Sequence, residues 1–312
     1  MSKPVVLMTG SYPDIDMQAL EKDYDLLKPW LQPHPDAYLA PHRDNIRAIA
    51  TRGDLGASKS LIESLPHLEI IACNGVGVDA IDLATAKARH VKVTNTPDVL
   101  NDDVADLALA MMLGAARGIA KGDAFVRSSA WSSNGWPLQS KLSGKRLGLL
   151  GLGRIGLAIA KRAEAFSMPI AYHTRGKRDV AYTYHTTPTE LAQNSDYLVA
   201  ILPGGKETQN IVNAEVLKAL GPHGTFVNVA RGTVADEEAL LAALENKSIA
   251  GAALDVFWNE PRINPRFFAL DNVLLHPHGG SATLETRQAM GKLVRDNLSA
   301  HFAGKPLLTP VF

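Results

Sequence analysis

The chain has 312 residues, of which 46% are hydrophobic and 21% are charged, a composition typical of a globular protein of about two domains and not of a disordered, collagenous or coiled-coil chain. Its 32 basic and 32 acidic residues give a formal net charge of 0, which argues against a nucleic-acid binder. The single cysteine, Cys73, cannot form an internal disulfide, no His/Cys cluster has the spacing of a zinc site, and the longest apolar run, Leu107–Ala116, is too short to span a membrane. We therefore expect a cytoplasmic protein with no signal peptide, no metal and no membrane contact.

The first third of the chain alternates short strands with helical patterns, which indicates a parallel sheet covered by helices. Two helices are predicted near Ser58–Leu65 and Ile81–Ala88. The predicted strands are Val5–Met8, Ala37–Leu39, Ala48–Ala50, Ile70–Cys73 and Val91–Thr94.

A long helix is then predicted from Asn101 to about Lys121, because apolar residues recur there at helical spacing. A loop rich in Trp, Ser and Gly follows, and a final helix is predicted from Leu284 to Phe302. A second series of strands lies between that loop and the final helix, at Arg146–Leu150, Ile170–Tyr172, Leu198–Ile201, Phe226–Val229, Ala250–Leu254 and Val273–Leu275.

The fold class that these elements predict is α/β, with two doubly wound parallel-sheet, Rossmann-like domains. Residues 1–98 plus 283–312 form the expected substrate-binding, flavodoxin-like domain, and residues 99–282 form the expected dinucleotide-binding Rossmann domain. A cleft between the two is the expected site for a small ligand.

A glycine-rich segment, Gly151-Leu-Gly153-Arg154-Ile155-Gly156, follows a predicted buried strand and opens a predicted helix. A purely structural turn is the simpler interpretation, but this context favours binding of a dinucleotide. The first glycine permits a tight turn, the second lets a pyrophosphate approach the backbone, and the third allows close packing of helix on strand. The helix N-terminus directs amide donors at the phosphates.

The segment after the next strand favours one cofactor. NAD-binding folds usually place an acidic residue there to hold the ribose 2′-hydroxyl, but this chain has none before Asp179. Instead it carries Thr174, Arg175, Lys177 and Arg178, which can bind a 2′-phosphate. An ordinary solvated basic turn is the alternative. We predict a preference for NADPH/NADP+, with NADH still accepted.

Three polar residues each follow a predicted strand of the second series: Arg231, Glu260 and His278. Taken singly, they could be a surface cation, the start of a turn and a loop histidine. In a doubly wound sheet, however, ligands bind at the edge where strands end.

Together with the glycine-rich turn, these segments resemble the D-isomer-specific 2-hydroxyacid dehydrogenase family over nearly the whole chain. The resemblance includes the segments Gly75-Val76-Gly77-Val78-Asp79 and Asp102-Asp103-Val104-Ala105-Asp106. It implies that Arg231 binds the 2-oxo acid and polarises its carbonyl, that His278 is the general acid and that Glu260 orients His278. It also implies that the amides of Val76 and Gly77 hold the substrate carboxylate. The cofactor contacts that it implies beyond the glycine-rich and basic segments are Leu202, Pro203, Thr208, Val229, Ala230, Asp255 and Gly280.

One residue departs from the family pattern. Relatives often have an uncharged residue at the position of His276, which makes His276 a possible competitor of His278 as proton donor. Two histidines two positions apart point the same way only if the backbone stays pleated, and Pro277 lies between them.

The resemblance is to the NADPH-preferring glyoxylate/hydroxypyruvate reductase branch, including its hydroxyphenylpyruvate-reducing members. We expect neither the regulatory tail of many phosphoglycerate dehydrogenases nor the longer N-terminal segment of formate dehydrogenases. We expect a homodimer in which Trp131 or Trp136 either packs at the interface or reaches the partner's site, and Arg52 is a candidate substrate contact.

Two alternatives stay open. The same chemistry could act on a bulkier 2-oxo acid, such as phenylpyruvate, hydroxyphenylpyruvate or 2-oxoglutarate. The fold is also used by nucleotide-sensing corepressors, which bind protein partners with negligible turnover.

Overall fold

The computed structural model describes residues 3–133 and 135–312. The chain divides into two compact units, one formed by Met1–Leu100 with Ser281–Phe312 and the other by Asn101–Gly280. Each unit contains one sheet in which all strand pairs are parallel. The α/β class with two Rossmann-like sheets is therefore confirmed.

The first unit has a five-stranded sheet with the order β2-β1-β3-β4-β5, which is that of flavodoxin-like folds. Apolar side chains cover both faces: Ile49 and Ile71 lie in one buried cluster, and Ile70 packs in the other with Leu298 of the last helix. Its strands are β1 (Val5–Met8), β2 (Asp25–Leu27), β3 (Ile46–Arg52), β4 (Ile70–Asn74) and β5 (Lys92–Thr94). Its helices are α1 (Asp14–Asp23), α2 (Pro35–Leu39), α3 (Lys59–Glu63), α4 (Leu83–Ala88) and, last in the chain, α11 (Leu284–Phe302).

One local prediction for this unit is wrong, and one strand was not predicted. The predicted strand Ala37–Leu39 is the end of α2, because Pro35 occupies the first turn of a short helix, where its fixed φ and missing N–H are tolerated. The sequence prediction also missed β2, which has only three residues and pairs with β1 alone at the edge of the sheet.

The second unit has a seven-stranded sheet with the order β12-β11-β10-β9-β6-β7-β8. Its first six strands in the chain have the 3-2-1-4-5-6 arrangement of a dinucleotide-binding fold. The strands are β6 (Leu147–Leu150), β7 (Ile170–His173), β8 (Thr183–Tyr184), β9 (Tyr197–Ala200), β10 (Thr225–Asn228), β11 (Gly251–Leu254) and β12 (Val273–Leu275). The helices are α5 (Asn101–Arg117), α6 (Ile119–Arg127), α7 (Arg154–Glu164), α8 (Pro188–Gln193), α9 (Ala214–Leu220) and α10 (Glu237–Glu245).

The register of this sheet brings six strand ends level with one another. The final residues of the strands lie side by side in the order Leu275, Leu254, Asn228, Ala200, Leu150 and His173. The loops that follow these residues therefore leave from one edge, which we call the carboxyl edge of the second sheet.

The predicted long helix is interrupted. It ends at Arg117, and Gly118 adopts φ 59° before a separate helix begins at Ile119. A left-handed glycine is a common helix stop, and a hydrophobic repeat alone does not reveal it. The described helices include none that is both long and apolar enough to cross a membrane.

Candidate active site

The glycine-rich segment forms the turn between β6 and α7 at the carboxyl edge. Gly151 has φ 102°, and a Cβ there would lie 2.3 Å from the carbonyl oxygen of Ile201. A Cβ on Gly156 would lie 2.6 Å from the carbonyl oxygen of Gly151. Both glycines are therefore required by the packing of the turn itself.

Gly153 differs from its two neighbours. A Cβ on Gly153 would meet no atom within 4 Å, so the packing of the described residues does not explain this glycine. Gly153 is the residue before α7, and the N–H groups of Ile155 and Gly156 belong to the first turn, which has no acceptors inside a helix. Open space beside the amides of a first helical turn fits the pyrophosphate of a dinucleotide.

The segment after β7 contains cations and no carboxylate before Asp179. The guanidinium of Arg175 is 93% exposed and lies 3.3 Å from Glu207. Thr174 donates its hydroxyl to the carbonyl of Gly176 at 2.6 Å, and Tyr172 bonds both the N–H and the carbonyl of Arg178. The turn is thus built on Tyr172, while the side chain of Arg175 extends into solvent.

The loops after β9 and β10 contain further predicted contacts. Leu202 and Pro203 follow β9, and Thr208 donates its hydroxyl to the carbonyl of Pro203 at 2.7 Å. Val229 and Ala230, both buried, follow β10 and lead to Arg231.

The side-chain amide of Asn228 shapes the loop that presents Arg231. Its Nδ2 donates to the carbonyl of Arg231 at 2.9 Å, and its Oδ1 accepts from the N–H of Ala230 at 3.1 Å. Arg231 itself is extended and half-buried, and its Nη1 donates to the carbonyl of Ala230 at 2.8 Å. The guanidinium is therefore held at the carboxyl edge by bonds within its own loop.

His278 pairs with Glu260. The Nδ1 of His278 lies 2.6 Å from Oε2 of Glu260, and the other carboxylate oxygen accepts from the N–H of Phe257 at 2.7 Å. The imidazole is 38% exposed. Since Nδ1 donates to a carboxylate, Nε2 is left to exchange a proton with a ligand, which is the arrangement of a histidine general acid.

His276 pairs with a different carboxylate. Its Nδ1 lies 2.6 Å from Oδ1 of Asp255. The same Oδ1 also accepts from the N–H of Gly279, and Oδ2 accepts from the N–H of Gly280. The φ of His278 is 50°, so the backbone between the two histidines is not pleated. The sequence placed Asp255 among the cofactor contacts and did not pair it with His276.

The predicted carboxylate cradle lies in the first unit, directly after β4. The N–H groups of Val76 and Gly77 donate to no acceptor among residues 3–133 and 135–312. Their carbonyls accept from the Asn95 side chain and the Cys73 thiol, at 2.8 and 3.6 Å. Two adjacent free amides fit a carboxylate ligand.

Arg52 ends β3 beside this cradle, where it pairs in register with Asn74. Its guanidinium is bound to Asp54, and those hydrogen bonds raise the pKa of Arg52. Arg287 of α11 lies in the same unit, where burial, with a contribution from the nearby Arg52, lowers its pKa. The sequence analysis did not single out Arg287, because a basic residue on the first turns of a helix is usually exposed on the surface.

Comparisons with known proteins decide the family. Residues 109–280 match the model of the NAD-binding domain of D-isomer specific 2-hydroxyacid dehydrogenases. The chain belongs to the D-isomer specific 2-hydroxyacid dehydrogenase family. The resemblance that the sequence motifs indicated is confirmed, and the matched residues 109–280 all lie in the second unit.

Three relatives align over nearly their whole length. Glyoxylate/hydroxypyruvate reductase A HPR2 of Arabidopsis thaliana is 50% identical, with 94% of each chain covered. Hydroxyphenylpyruvate reductase of Plectranthus scutellarioides is 49% identical, again with 94% of each chain covered. 2-Ketogluconate reductase of Gluconobacter oxydans is 45% identical, with 99% of each covered.

Two solved structures have the same fold. A 2-hydroxyacid dehydrogenase from Ketogulonicigenium vulgare Y25 is 48% identical with a TM-score of 0.92, and 100% of this chain and 99% of that chain are covered. An NADPH-dependent glyoxylate/hydroxypyruvate reductase from Sinorhizobium meliloti, in complex with NADP and malonate, is 42% identical with a TM-score of 0.92, over 99% of this chain and 97% of that one.

Proposed function

We propose that this protein is an NADPH-dependent reductase of small 2-oxo acids, with glyoxylate and hydroxypyruvate as the leading substrates. The observation that carries this proposal is the His278–Glu260 pair, which lies at the same sheet edge as Arg231 and the glycine-rich turn. The products are 2-hydroxy acids, glycolate and D-glycerate for these two substrates.

In the proposed reaction, Arg231 binds the 2-oxo acid and draws electron density towards the carbonyl oxygen. His278 donates the proton on Nε2 to that oxygen, while Glu260 accepts from Nδ1 and stabilises the imidazolium before transfer. The N–H groups of Val76 and Gly77 receive the substrate carboxylate, and Arg52, which is paired with Asp54, is a candidate further contact beside them. The reduced nicotinamide, when bound, supplies the hydride.

The residues present fit an NADP cofactor. The open space at Gly153 fits a pyrophosphate. Asp255, which accepts from the N–H of Gly280, would lie beside the nicotinamide end, as the resemblance implies. Arg175, Lys177 and Arg178, with the hydroxyl of Thr174, would hold the 2′-phosphate. NADH, which lacks that phosphate, binds more weakly and still supports turnover.

Two relatives support a wider substrate range. One acts on hydroxyphenylpyruvate and one on 2-ketogluconate by name, so both acids, with phenylpyruvate and 2-oxoglutarate, belong in the substrate panel. We expect glyoxylate and hydroxypyruvate to have the highest kcat/KM with NADPH. A higher kcat/KM for one of the bulkier acids would assign the site to that acid, and no loss of nicotinamide absorbance with any acid would end the proposal.

The role of His278 has its own test. In His278→Asn, kcat should fall about 10²- to 10⁴-fold, since positioned general acids contribute on that scale. The matched control is His223→Asn, which removes a histidine that lies before β10 and so at the opposite edge of the same sheet. Turnover of His278→Asn near that of the control would exclude His278 as the donor and point to His276.

The cofactor preference is tested by binding. Arg175→Ala and Arg178→Ala should raise the Kd for NADPH and leave that for NADH unchanged, measured by nicotinamide fluorescence. Lys218→Ala, a change of the same charge on α9, is the control. An equal loss of affinity for both cofactors would assign these arginines to the fold and not to the 2′-phosphate.

The homodimer is part of the same proposal. The α6 helix and the loop after it expose Ile119 (59%), Val126 (54%), Trp131 (66%) and Leu138 (101%), an apolar surface suited to a second copy. Trp136 is 38% exposed and packs against Phe125 with the two rings tilted at 54°, so Trp136 is less exposed than Trp131. A monomer mass by light scattering would contradict the dimer. The cytoplasmic location stays a prediction from sequence.

A further inference from the structure

A second imidazole–carboxylate pair lies on the loop that bears His278. His276 Nδ1 is 2.6 Å from Asp255 Oδ1, and nothing in the proposed reaction requires a histidine at this position. The two rings are almost equally exposed, at 40% for His276 and 38% for His278. The proposed reaction therefore leaves the His276–Asp255 pair without a role.

Asp255 binds several backbone amides of this loop. Its side chain is only 2% exposed, and it accepts from the N–H of Gly279 at 2.7 Å and from that of Gly280 at 3.0 Å. Its backbone carbonyl accepts from the N–H of His278 at 2.7 Å. Three consecutive amides, starting at His278, are therefore bound to this one residue.

His278 needs such a restraint. Its φ of 50° lies in the left-handed region, which residues with a Cβ occupy at a cost and only where the surroundings hold them. A looser loop would let His278 relax towards ordinary backbone angles. Its ring would then leave Glu260, on which the proton transfer depends.

The His276 ring is fitted to the loop. A Cβ on Gly279 would lie 2.3 Å from Cε1 of this ring and 3.0 Å from Nδ1, so the imidazole occupies the space that a side chain at position 279 would need. The ring therefore packs on the backbone of the residue next to His278 and at the same time donates to Asp255.

We propose that His276 is a positioning residue, which holds the carboxylate of Asp255 in the orientation that binds the amides of Gly279 and Gly280, the two residues directly after His278. It acts on His278 through the loop and not on the substrate. Its effect on turnover rests on the proposed function, whereas its effect on the loop does not.

Hydrogen exchange tests the loop directly, whether or not the protein turns over a given acid. His276→Leu removes the donor, and the amides of Gly279 and Gly280 should exchange about tenfold faster, as expected when a hydrogen bond to a charged group is lost. His276→Asn keeps an N–H at nearly the same place and should exchange within about threefold of the wild-type rate. His223→Leu is the control. Equal exchange in all three variants and the wild type overturns the proposal.

Kinetics separate positioning from chemistry. His276→Leu should lower kcat about tenfold with little change in KM, and His276→Asn, which cannot titrate, should restore most of it with the limbs of the wild-type pH profile intact. If both variants lose activity equally and a limb of the profile disappears, His276 transfers the proton itself and the positioning role is wrong. Thermal unfolding of each variant identifies one that fails to fold.

A second substitution tests the contact between the His276 ring and Gly279 by changing Gly279. Gly279→Ala should displace the ring and reproduce the faster exchange of His276→Leu, and the double variant should exchange no faster than either single one. Additive increases would mean that the ring and Gly279 act independently, against the proposal. Wild-type protein that reduces no 2-oxo acid would end the proposed function while these exchange results still decide the role of His276.

Discussion

Replacing Gly153 with alanine separates cofactor binding from stability. Gly153 has φ −78° and ψ −163°, which alanine adopts without strain, and the added methyl would meet no atom of the described residues within 4 Å. The fold therefore has no reason to reject this alanine. The alanine should instead weaken dinucleotide binding, because the pyrophosphate must approach the backbone at this residue.

The two expected magnitudes have opposite signs. A strain-free Gly→Ala change restricts the unfolded chain and stabilises a protein by about 0.4–1 kcal/mol. Hydrogen bonds to charged groups contribute about 1.5–3 kcal/mol, so a methyl group that holds the pyrophosphate away from the amides should raise the Kd for NADPH roughly tenfold to a hundredfold. Gly153→Ala should thus be at least as stable as the wild type and bind cofactor poorly.

Gly156→Ala is the matched control on the same turn. Its methyl would lie 2.6 Å from the carbonyl oxygen of Gly151, a backbone atom that cannot move aside cheaply. Overpacking of this kind costs about 1–3 kcal/mol, which corresponds to a fall of roughly 2–4 °C in Tm for each kcal/mol. This variant should lose stability as well as affinity.

Thermal unfolding without cofactor and fluorescence titration with NADPH measure the two effects on the same protein samples. The decisive comparison for Gly153→Ala is between its Tm without cofactor and its Kd for NADPH. A variant that binds NADPH like the wild type would refute the assignment of the open space at Gly153 to the pyrophosphate. A variant that unfolds as early as Gly156→Ala would refute the claim that the space is open.

Three further substitutions test other parts of the site and fold. Glu260→Gln keeps the size of the side chain but removes the charge that holds His278, so kcat should fall about tenfold or more while Tm stays within a few degrees, since surface ion pairs contribute little. Arg231→Lys should raise KM about tenfold, because an ammonium cannot form the two parallel bonds of a guanidinium with a 2-oxo acid; an unchanged KM would contradict direct binding. Hydrogen bonds from Arg146 hold the pKa of Asp196 below its usual value. This pair therefore stabilises the fold at pH values above the usual carboxyl pKa, and the stabilisation is lost as the pH falls through the lowered pKa. Arg146→Leu should therefore lower Tm at about pH 7, and this loss should shrink as the pH is lowered below the usual carboxyl pKa of about 3.9; a loss of the same size at every pH would contradict this assignment.

The sequence predicts most of the fold, because short buried strands and amphipathic helices have distinct periods. It fails where a single backbone angle or a single proline decides the local structure. The hydrophobic repeat continues past Gly118, so the left-handed turn that ends α5 has no counterpart in the pattern. The apolar residues before Ala40 resemble a strand, but Pro35 places them in a helix.

The sequence predicts which residues lie at the carboxyl edge of the second sheet, but it does not predict which of them form hydrogen bonds with each other. Parallel strands in register bring their carboxyl ends together, and that already places Arg231, Asp255 and His278 at one edge. Which carboxylate meets which imidazole depends on the path of a loop with φ 50° at His278, and the spacings along the chain, 21 residues from Asp255 to His276 and 18 from Glu260 to His278, do not encode it.

The structure distinguishes the two pairs by their carboxylates and not by their rings. Asp255 is 2% exposed and accepts two backbone amides besides His276, whereas Glu260 is 26% exposed and accepts one amide besides His278. A proton donor must regain its proton after every turnover, which a partly solvated pair can do without breaking the loop. A pair whose carboxylate also binds the backbone would disturb those bonds each time its charge changed. That difference supports the two proposals, in which His278 transfers the proton and His276 restrains the loop.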